Sequence, residues 1–176
     1  MSKQITTYKY TPKDYLKAFI AFAVLGTLIF IALKLAFIPK EAATDTQVCD
    51  VLISRGYEPL DRTEQYIEAN PELGIVKTIL YAEENFQFYF FIFEEQEGAA
   101  RVYRYYITNM SEIARKNRNN CSETGGYRAN FVRHTLKTDE EYYNLMRIGN
   151  TLAYGYCDAE KSSEMYAIMS DIGYTN

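Results

Sequence analysis

Apolar positions follow two different regimes along this 176-residue chain. From 18 to 38 they form one stretch, interrupted by a single charge, Lys34, and closed by Pro39. Beyond Pro39 they recur with the periods of helices and strands. The first stretch holds 21 residues, about 31 Å as a helix, which matches a hydrocarbon core of about 30 Å. Lys34 stands one turn from its end, where a lysine snorkels to the headgroups, and Tyr15 stands where interfacial aromatics belong. The pattern predicts a transmembrane helix over 18–38. A cleaved signal peptide is the rival reading. The first small residues after the stretch are Ala42 and Ala43, and a cut after Ala43 leaves Glu41 three positions before it, a poor cleavage context. Cys49 follows Thr46-Gln47-Val48, which is not a lipid-attachment context. Ala23 and Thr27, and Ala32 and Ala36, stand four apart; such spacing lets helices approach, although small residues are common in any spanning helix.

The second regime reads as an α+β domain. Thr44 and Gln47 form a capping box for a helix over 45–55, with Val48, Val51 and Leu52 as its apolar stripe and Gly56 as its stop. Asp61 and Glu64 open a short helix that ends before Pro71. Strands follow at 74–81 and 86–93, joined by a turn of Glu83, Glu84 and Asn85. The second is apolar on both faces, as a strand covered on both sides must be. A helix over 95–116 repeats Ala99, Val102, Tyr103, Tyr106, Met110 and Ile113 at helical spacing. Residues 118–126 read as a polar loop around Cys121. A strand at 127–136 comes next, with Tyr127, Ala129 and Phe131 on one side. Gly149-Asn150 is a two-residue hairpin signal between strands at 142–148 and 151–157. A last helix over 159–172 buries Met165, Ile168, Met169 and Ile172, and Gly173 ends it. The expectation is an antiparallel sheet of about five strands packed by helices. Strand, strand, helix occurs at 74–116 and again at 142–172, which raises the question of a duplicated unit.

Charge gives the apolar segment a direction. Lys3, Lys9, Lys13 and Lys17 precede it against Asp14 alone, while Lys34 and Lys40 are soon met by Glu41, Asp45 and Asp50. Basic flanks stay inside, so the expected order is a cytoplasmic tail (1–17), a spanning helix (18–38), a short linker (39–43) and an extracytoplasmic domain (44–176) of a single-pass cell-membrane protein. From residue 41 onward 13 basic residues face 22 acidic ones, a net charge of −9. That argues against a nucleic-acid partner. Cys49, Cys121 and Cys157 lack metal-ligand spacing, and outside the cell two of them could pair, with no indication which. Asn109 and Asn120 begin Asn-x-Ser sequons, relevant only in a eukaryotic secretory pathway.

No catalytic motif is present. The single histidine, His134, has no Glu-x-x-His partner, and no phosphate-cradling glycine loop or nucleophile elbow occurs. No cofactor is implied. Carboxylates are paired at Glu83-Glu84 and Glu94-Glu95 and clustered at Asp139-Glu140-Glu141, all at predicted turns. Arg147 lies within a strand, where it either faces solvent or reaches a carboxylate across the sheet. Tyrosine is abundant, 17 residues, and tryptophan absent; tyrosine offers large amphipathic contacts at modest entropic cost. On the outer face of the long helix Arg101, Arg104, Tyr105 and Thr108 form a candidate contact stripe, and Arg147 is a candidate ligand-gripping residue.

The run Arg147 to Tyr156 (RIGNTLAYGY), the Tyr142-Tyr143 pair before it, the helix opening Glu94 to Tyr103 (EEQEGAARVY) and the closing Gly173-Tyr174 carry a resemblance. Over about residues 44 to 174 the chain resembles bacterial extracytoplasmic α+β domains that are membrane-anchored or lipoprotein-like. Arg147, Asn150, Thr151 and Leu152 match an Arg-x-x-Asn-Thr-Leu-like hairpin. This chain departs in using a spanning helix where relatives carry a lipidated cysteine. The resemblance implies location and fold, and no activity. The expected role is a tethered, non-catalytic binding or interaction module, held in the bilayer through 18–38 and meeting an envelope protein or ligand. The alternatives are an envelope hydrolase using carboxylates and a small-ligand sensor.

Overall fold

A computed structural model describes residues 11–36, 38–118, 120–128 and 130–175. The chain divides into two units, Met1–Ile38 and Pro39–Asn176. In the first, α1 runs Pro12–Ala36, 25 residues. It starts earlier than the apolar run because Thr11-Pro12 caps it. The Thr11 amide and hydroxyl donate to Asp14 Oδ2 at 2.9 and 2.7 Å, and proline is favoured at the first helical position. The window Pro12–Lys34 has a mean hydropathy of 2.4 with none of it buried. This is one helix long and apolar enough to cross a membrane. Lys3 and Lys9 of the basic tail lie outside the described residues.

In the second unit, one antiparallel sheet of seven strands carries helices on both faces. The strands are β1 (Leu60–Asp61), β2 (Ile75–Glu83), β3 (Phe86–Phe93), β4 (Cys121–Arg128), β5 (Phe131–Thr138), β6 (Glu141–Ile148) and β7 (Thr151–Asp158), in the spatial order β1-β2-β3-β7-β6-β5-β4. The helices are α2 (Asp45–Ser54), α3 (Thr63–Ala69), α4 (Gln96–Lys116) and α5 (Ser162–Asp171), with 3-10 turns at Pro71–Leu73 and Ala159–Lys161.

Seven strands replace the expected five or so, for two local reasons. β1 is a two-residue pairing with Leu80 and Ile79 of β2, too short to show a period. β4 occupies most of the segment read as a polar loop. Its residues are mostly exposed, so no apolar alternation marks it, and its eight-residue pairing with β5 alone makes it a strand. The strand expected at 127–136 is therefore two strands meeting in a hairpin, with Arg128 paired to Phe131. The Ala129 position of that expected face lies outside the described residues. The Asn130 side chain secures the turn: its Oδ1 accepts from the Lys40 amide at 2.9 Å and its Nδ2 donates to the Lys40 carbonyl at 2.8 Å. Part of the expected linker at 39–43 is thereby bound to the sheet domain, and Ala43 is buried.

β3 and β7 sit at the centre, paired from Phe86–Cys157 to Ile92–Thr151. Phe86, Phe88 and Phe90 face α2 and α5 with Met146, Ala153 and Cys157. Phe91 and Phe93 face α4 with Leu145 and Leu152. Neighbouring residues such as Leu145 and Met146 thus serve opposite cores, as the two-residue period requires. The two strand-strand-helix units are not a repeat related by the sheet. β3 and β7 are antiparallel neighbours, so only a dyad normal to the sheet would exchange them. That dyad would set both helices on one face, whereas α4 and α5 lie on opposite faces.

α2 and α5 end alike, as their Gly-Tyr sequences suggest. Gly56 (φ 84) and Gly173 (φ 81) take the left-handed turn. The amides of Tyr57 and Tyr174 reach back to the carbonyls of Leu52 (3.0 Å) and Met169 (2.6 Å), a Schellman closure. Each tyrosine then packs on β3, Tyr57 stacked on Phe86 and Tyr174 edge-on to Phe90. The Tyr174 hydroxyl is bonded to Thr151 Oγ1 and to the Ala43 amide, while Thr151 donates to the Ile148 carbonyl at 2.8 Å. Tyr174→Phe leaves two buried polar groups short of a partner, so a loss of about 1–3 kcal/mol is expected, measured by denaturant unfolding against Tyr166→Phe on the exposed side of α5.

Candidate functional site

α4 does not cover its face of the sheet evenly. Its contacts extend over β3, β7, β6, β5 and β4, while α3 lies on β2. Between α3, the 3-10 turn after it and the first turns of α4, a cleft of about 320 Å³ opens. Its lining includes Ile75 and Phe91 from the sheet, Leu73 from the 3-10 turn, and Val102 from α4. Tyr66, Tyr105 and Tyr106 add aromatic walls, and Arg101 and Asn70 supply the polar groups. Tyr66 meets Phe91 edge-on with centroids 5.5 Å apart, and Tyr105 meets Tyr106 the same way at 5.6 Å. An apolar hollow with a few polar groups is the usual form of a ligand site, and this volume lies at the small end of the range.

Gly98, in the first turn of α4, lies against the 3-10 turn beside this cleft. A Cβ built there would lie 2.3 Å from the Leu73 carbonyl oxygen and 3.0 Å from Phe93 Cδ1. Only glycine lets the first turn of α4 come this close to the 3-10 turn. Gly98→Ala must push α4 away from Leu73. The expected outcome is a loss of about 1–3 kcal/mol, read by thermal or denaturant unfolding, together with a wider cleft.

Two of the four candidate residues meet here. Arg101 lines the cleft and its Nη2 lies 2.9 Å from Glu97 Oε1, one turn back on α4. Tyr105 lines it too and is 64 % exposed. Arg104 is exposed on the same helix, and its carbonyl accepts from the Thr108 hydroxyl at 2.9 Å. Arg147 lies apart, on β6 under α4. It is buried, which overturns the solvent-facing reading. It also reaches no carboxylate among the described residues: its Nη1 donates to the Gly149 carbonyl at 2.9 Å, closing its own hairpin. Burial pulls the guanidinium down from its ordinary range, against the opposing influence of Tyr103 and Tyr127. Tyr66, Asn70, Leu73 and Gly98 had no sequence signal of their own, and Phe91 was marked only as part of an apolar strand face. The helix boundary at Pro71 and a glycine inside a helical pattern were the only hints.

The three carboxylate groups singled out in the sequence are not brought together. The Glu83-Glu84 turn and the Asp139-Glu140 turn lie at one end of the sheet, but β3, β7 and β6 separate them, about 14 Å by strand spacing. That exceeds the separation of glycosidase carboxylates. Glu94 and Glu95 lie at the opposite end, where the Glu94 amide bonds the Gly74 carbonyl at 2.8 Å. Glu141 is occupied by the hydroxyls of Tyr143 (2.7 Å) and Tyr156 (3.1 Å). His134 Nε2 lies 2.7 Å from Glu123 Oε1 but out of line for a hydrogen bond. Cys49, Cys121 and Cys157 are free thiols. Among the described residues no three His, Cys, Asp or Glu side chains gather as metal ligands. Comparison with known proteins gave no matching family model, no matching curated protein and no matching solved structure.

Behind the cleft the tyrosines form a half-buried layer under α4. Tyr106 stacks on Tyr154 with centroids 4.0 Å apart, and Tyr154 meets Tyr89 at 6.0 Å. Burial pushes the Tyr106 and Tyr154 hydroxyls far above the usual phenol range, and Tyr103 and Tyr174 up to about 12. A phenol that holds its proton more tightly when folded contributes stability that is whole below about pH 10 and lost as pH climbs through the folded value. Alkaline unfolding should therefore begin above about pH 10. Ultraviolet titration should show a buried tyrosine class ionising late, in step with loss of structure.

Proposed function

We propose that this chain is a single-pass membrane protein whose extracytoplasmic domain is a non-catalytic binding module, and that the α3–α4 cleft receives an apolar group of a partner protein in the cell envelope. The observation that carries this reading is the cleft itself. Aromatic walls, an apolar floor and one cation converge there, on the helix face where the sequence placed Arg101, Arg104 and Tyr105. Aromatic residues and arginine dominate the energetics of protein interfaces. α1 supports the anchor by its length and apolarity, and the lysines before it support an inward N-terminus. The separation of the acidic turns gives the hydrolase alternative no geometric footing.

One experiment tests side and site together. Arg104→Cys places a thiol beside the cleft without touching its lining. A membrane-impermeant crosslinker, thiol-reactive at one end and photoreactive at the other, should label it in intact cells above the background of the unaltered chain. Illumination should yield a discrete protein adduct. Val102→Arg, which fills the cleft, should abolish that adduct while leaving thiol labelling intact. Tyr166→Cys on α5 should give no such adduct. Labelling only after the membrane is breached would refute the topology, and an adduct indifferent to Val102→Arg would refute the cleft.

A further inference from the structure

The domain is strongly acidic, with a net charge of −9 from residue 41 onward, yet the polar group on the wall of its apolar cleft is a cation. Arg101 lines the hollow together with Asn70. Arg62 stands at the start of α3, the helix that carries Tyr66. Arg101 also borders a hollow lined by Glu72, Glu94 and Glu95, and among the described residues its ion-pair partner is Glu97, in a pair exposed on both sides: the side chains are 48 % and 67 % accessible. Such a pair contributes little and exchanges readily. An apolar bowl beside an exchangeable guanidinium suits a ligand in which an apolar side chain and a carboxylate lie a few bonds apart. Every polypeptide that ends in an aromatic or large aliphatic residue carries that combination at its C-terminus. Beside the cleft on α4 lies the exposed stripe of Arg104, Tyr105 and Thr108, along which the preceding residues of such a chain can lie. A free small acid has no use for that stripe.

We infer that the α3–α4 cleft captures the C-terminal residue of a partner polypeptide, its apolar side chain seated on Phe91, Ile75 and Val102 and its terminal carboxylate taking Arg101 from Glu97. This deepens the binding reading above and rests on it. Carboxylate recognition by arginine is charge-assisted and directional, so Arg101 confers selectivity while the bowl supplies contact. Glu97 then acts as an internal competitor that occupies Arg101 until a stronger carboxylate arrives.

The absence of tryptophan from the chain makes the test clean, because tryptophan emission reports the probe alone. The full-length protein in dodecyl maltoside micelles is titrated with a short peptide ending in tryptophan, with its C-terminal amide, with the same peptide carrying tryptophan internally, and with N-acetyl-tryptophan; empty micelles correct for partitioning. The free-acid peptide should bind with a blue-shifted emission, about tenfold or more tighter than the amide or the internal sequence. Arg101→Met should erase the acid-over-amide preference and keep the weaker apolar binding, and Glu97→Gln should tighten acid binding a few-fold. Val102→Arg should remove both. Equal binding of acid and amide, or a Glu97→Gln variant that binds more weakly, overturns the inference. N-acetyl-tryptophan binding as tightly as the peptide overturns the polypeptide as occupant. If the photo-adduct beside the cleft persists while the acid preference is absent, the binding module stands and terminal capture falls. If both are lost, the cleft reading falls with it.

Discussion

β3 has almost no polar face, and the rest of the domain is organised by that constraint. Seven of its eight residues are phenylalanine, tyrosine or isoleucine, with Phe86, Phe88, Phe90, Phe91 and Phe93 buried. A strand that is apolar on both sides cannot sit at an edge or leave one side to water. It takes β2 and β7 as neighbours and requires cover above and below. α2 and α5 supply one cover, locked to each other through Arg55 and Asp171 (3.0 Å from Nε) and through Tyr57 and Glu164. α4 supplies the other, but a single helix cannot shield a sheet of seven strands. It runs toward β6, β5 and β4, and the short α3 must finish the work over β2. The cleft is the gap between these two partial covers.

That gap explains the use of tyrosine. A layer half under a helix and half open to solvent needs residues with apolar bodies and a polar end. Tyr89 reaches Gln87 at 3.1 Å, and Tyr143 and Tyr156 share Glu141. Phenylalanine holds the positions with no such outlet: on this face Phe91 and Phe93, each buried. Composition thus reports topology indirectly, with hydroxyls appearing where helix cover thins.

The sequence was most legible where one element carries its own signal. The Thr44–Gln47 capping box is present, both halves closed. β3 spans 86–93 as its apolar run indicates, and Gly149-Asn150 turns the β6–β7 hairpin with Gly149 at positive φ. Legibility failed where pairing alone decides. β4 is polar, glycine-rich and exposed, and nothing within it separates strand from loop; β5 makes the difference. Arg147 failed for another reason. Its place within a strand left it either facing solvent or reaching a carboxylate, but whether its face is wet depends on α4 lying over it, which no local pattern encodes. The candidate site was legible by half. The α4 stripe is a helical period and could be read, whereas the opposing wall comes from Tyr66 and Asn70, more than thirty residues away in the chain.

The apolar helix and the cleft answer each other energetically. A hollow of about 320 Å³ holds one large side chain, and burying such a side chain contributes about 1.5–3 kcal/mol. Losing translational and rotational freedom on association costs more, about 4–15 kcal/mol. A free domain with this cleft as its main contact would therefore bind weakly, even with an arginine–carboxylate bond added. On the proposed reading, a partner held at the same membrane would meet the cleft at a raised effective concentration without any new contact. On the proposed reading the anchor is then part of the binding energetics, because a site this small works at a useful occupancy only when the membrane has already brought its ligand close.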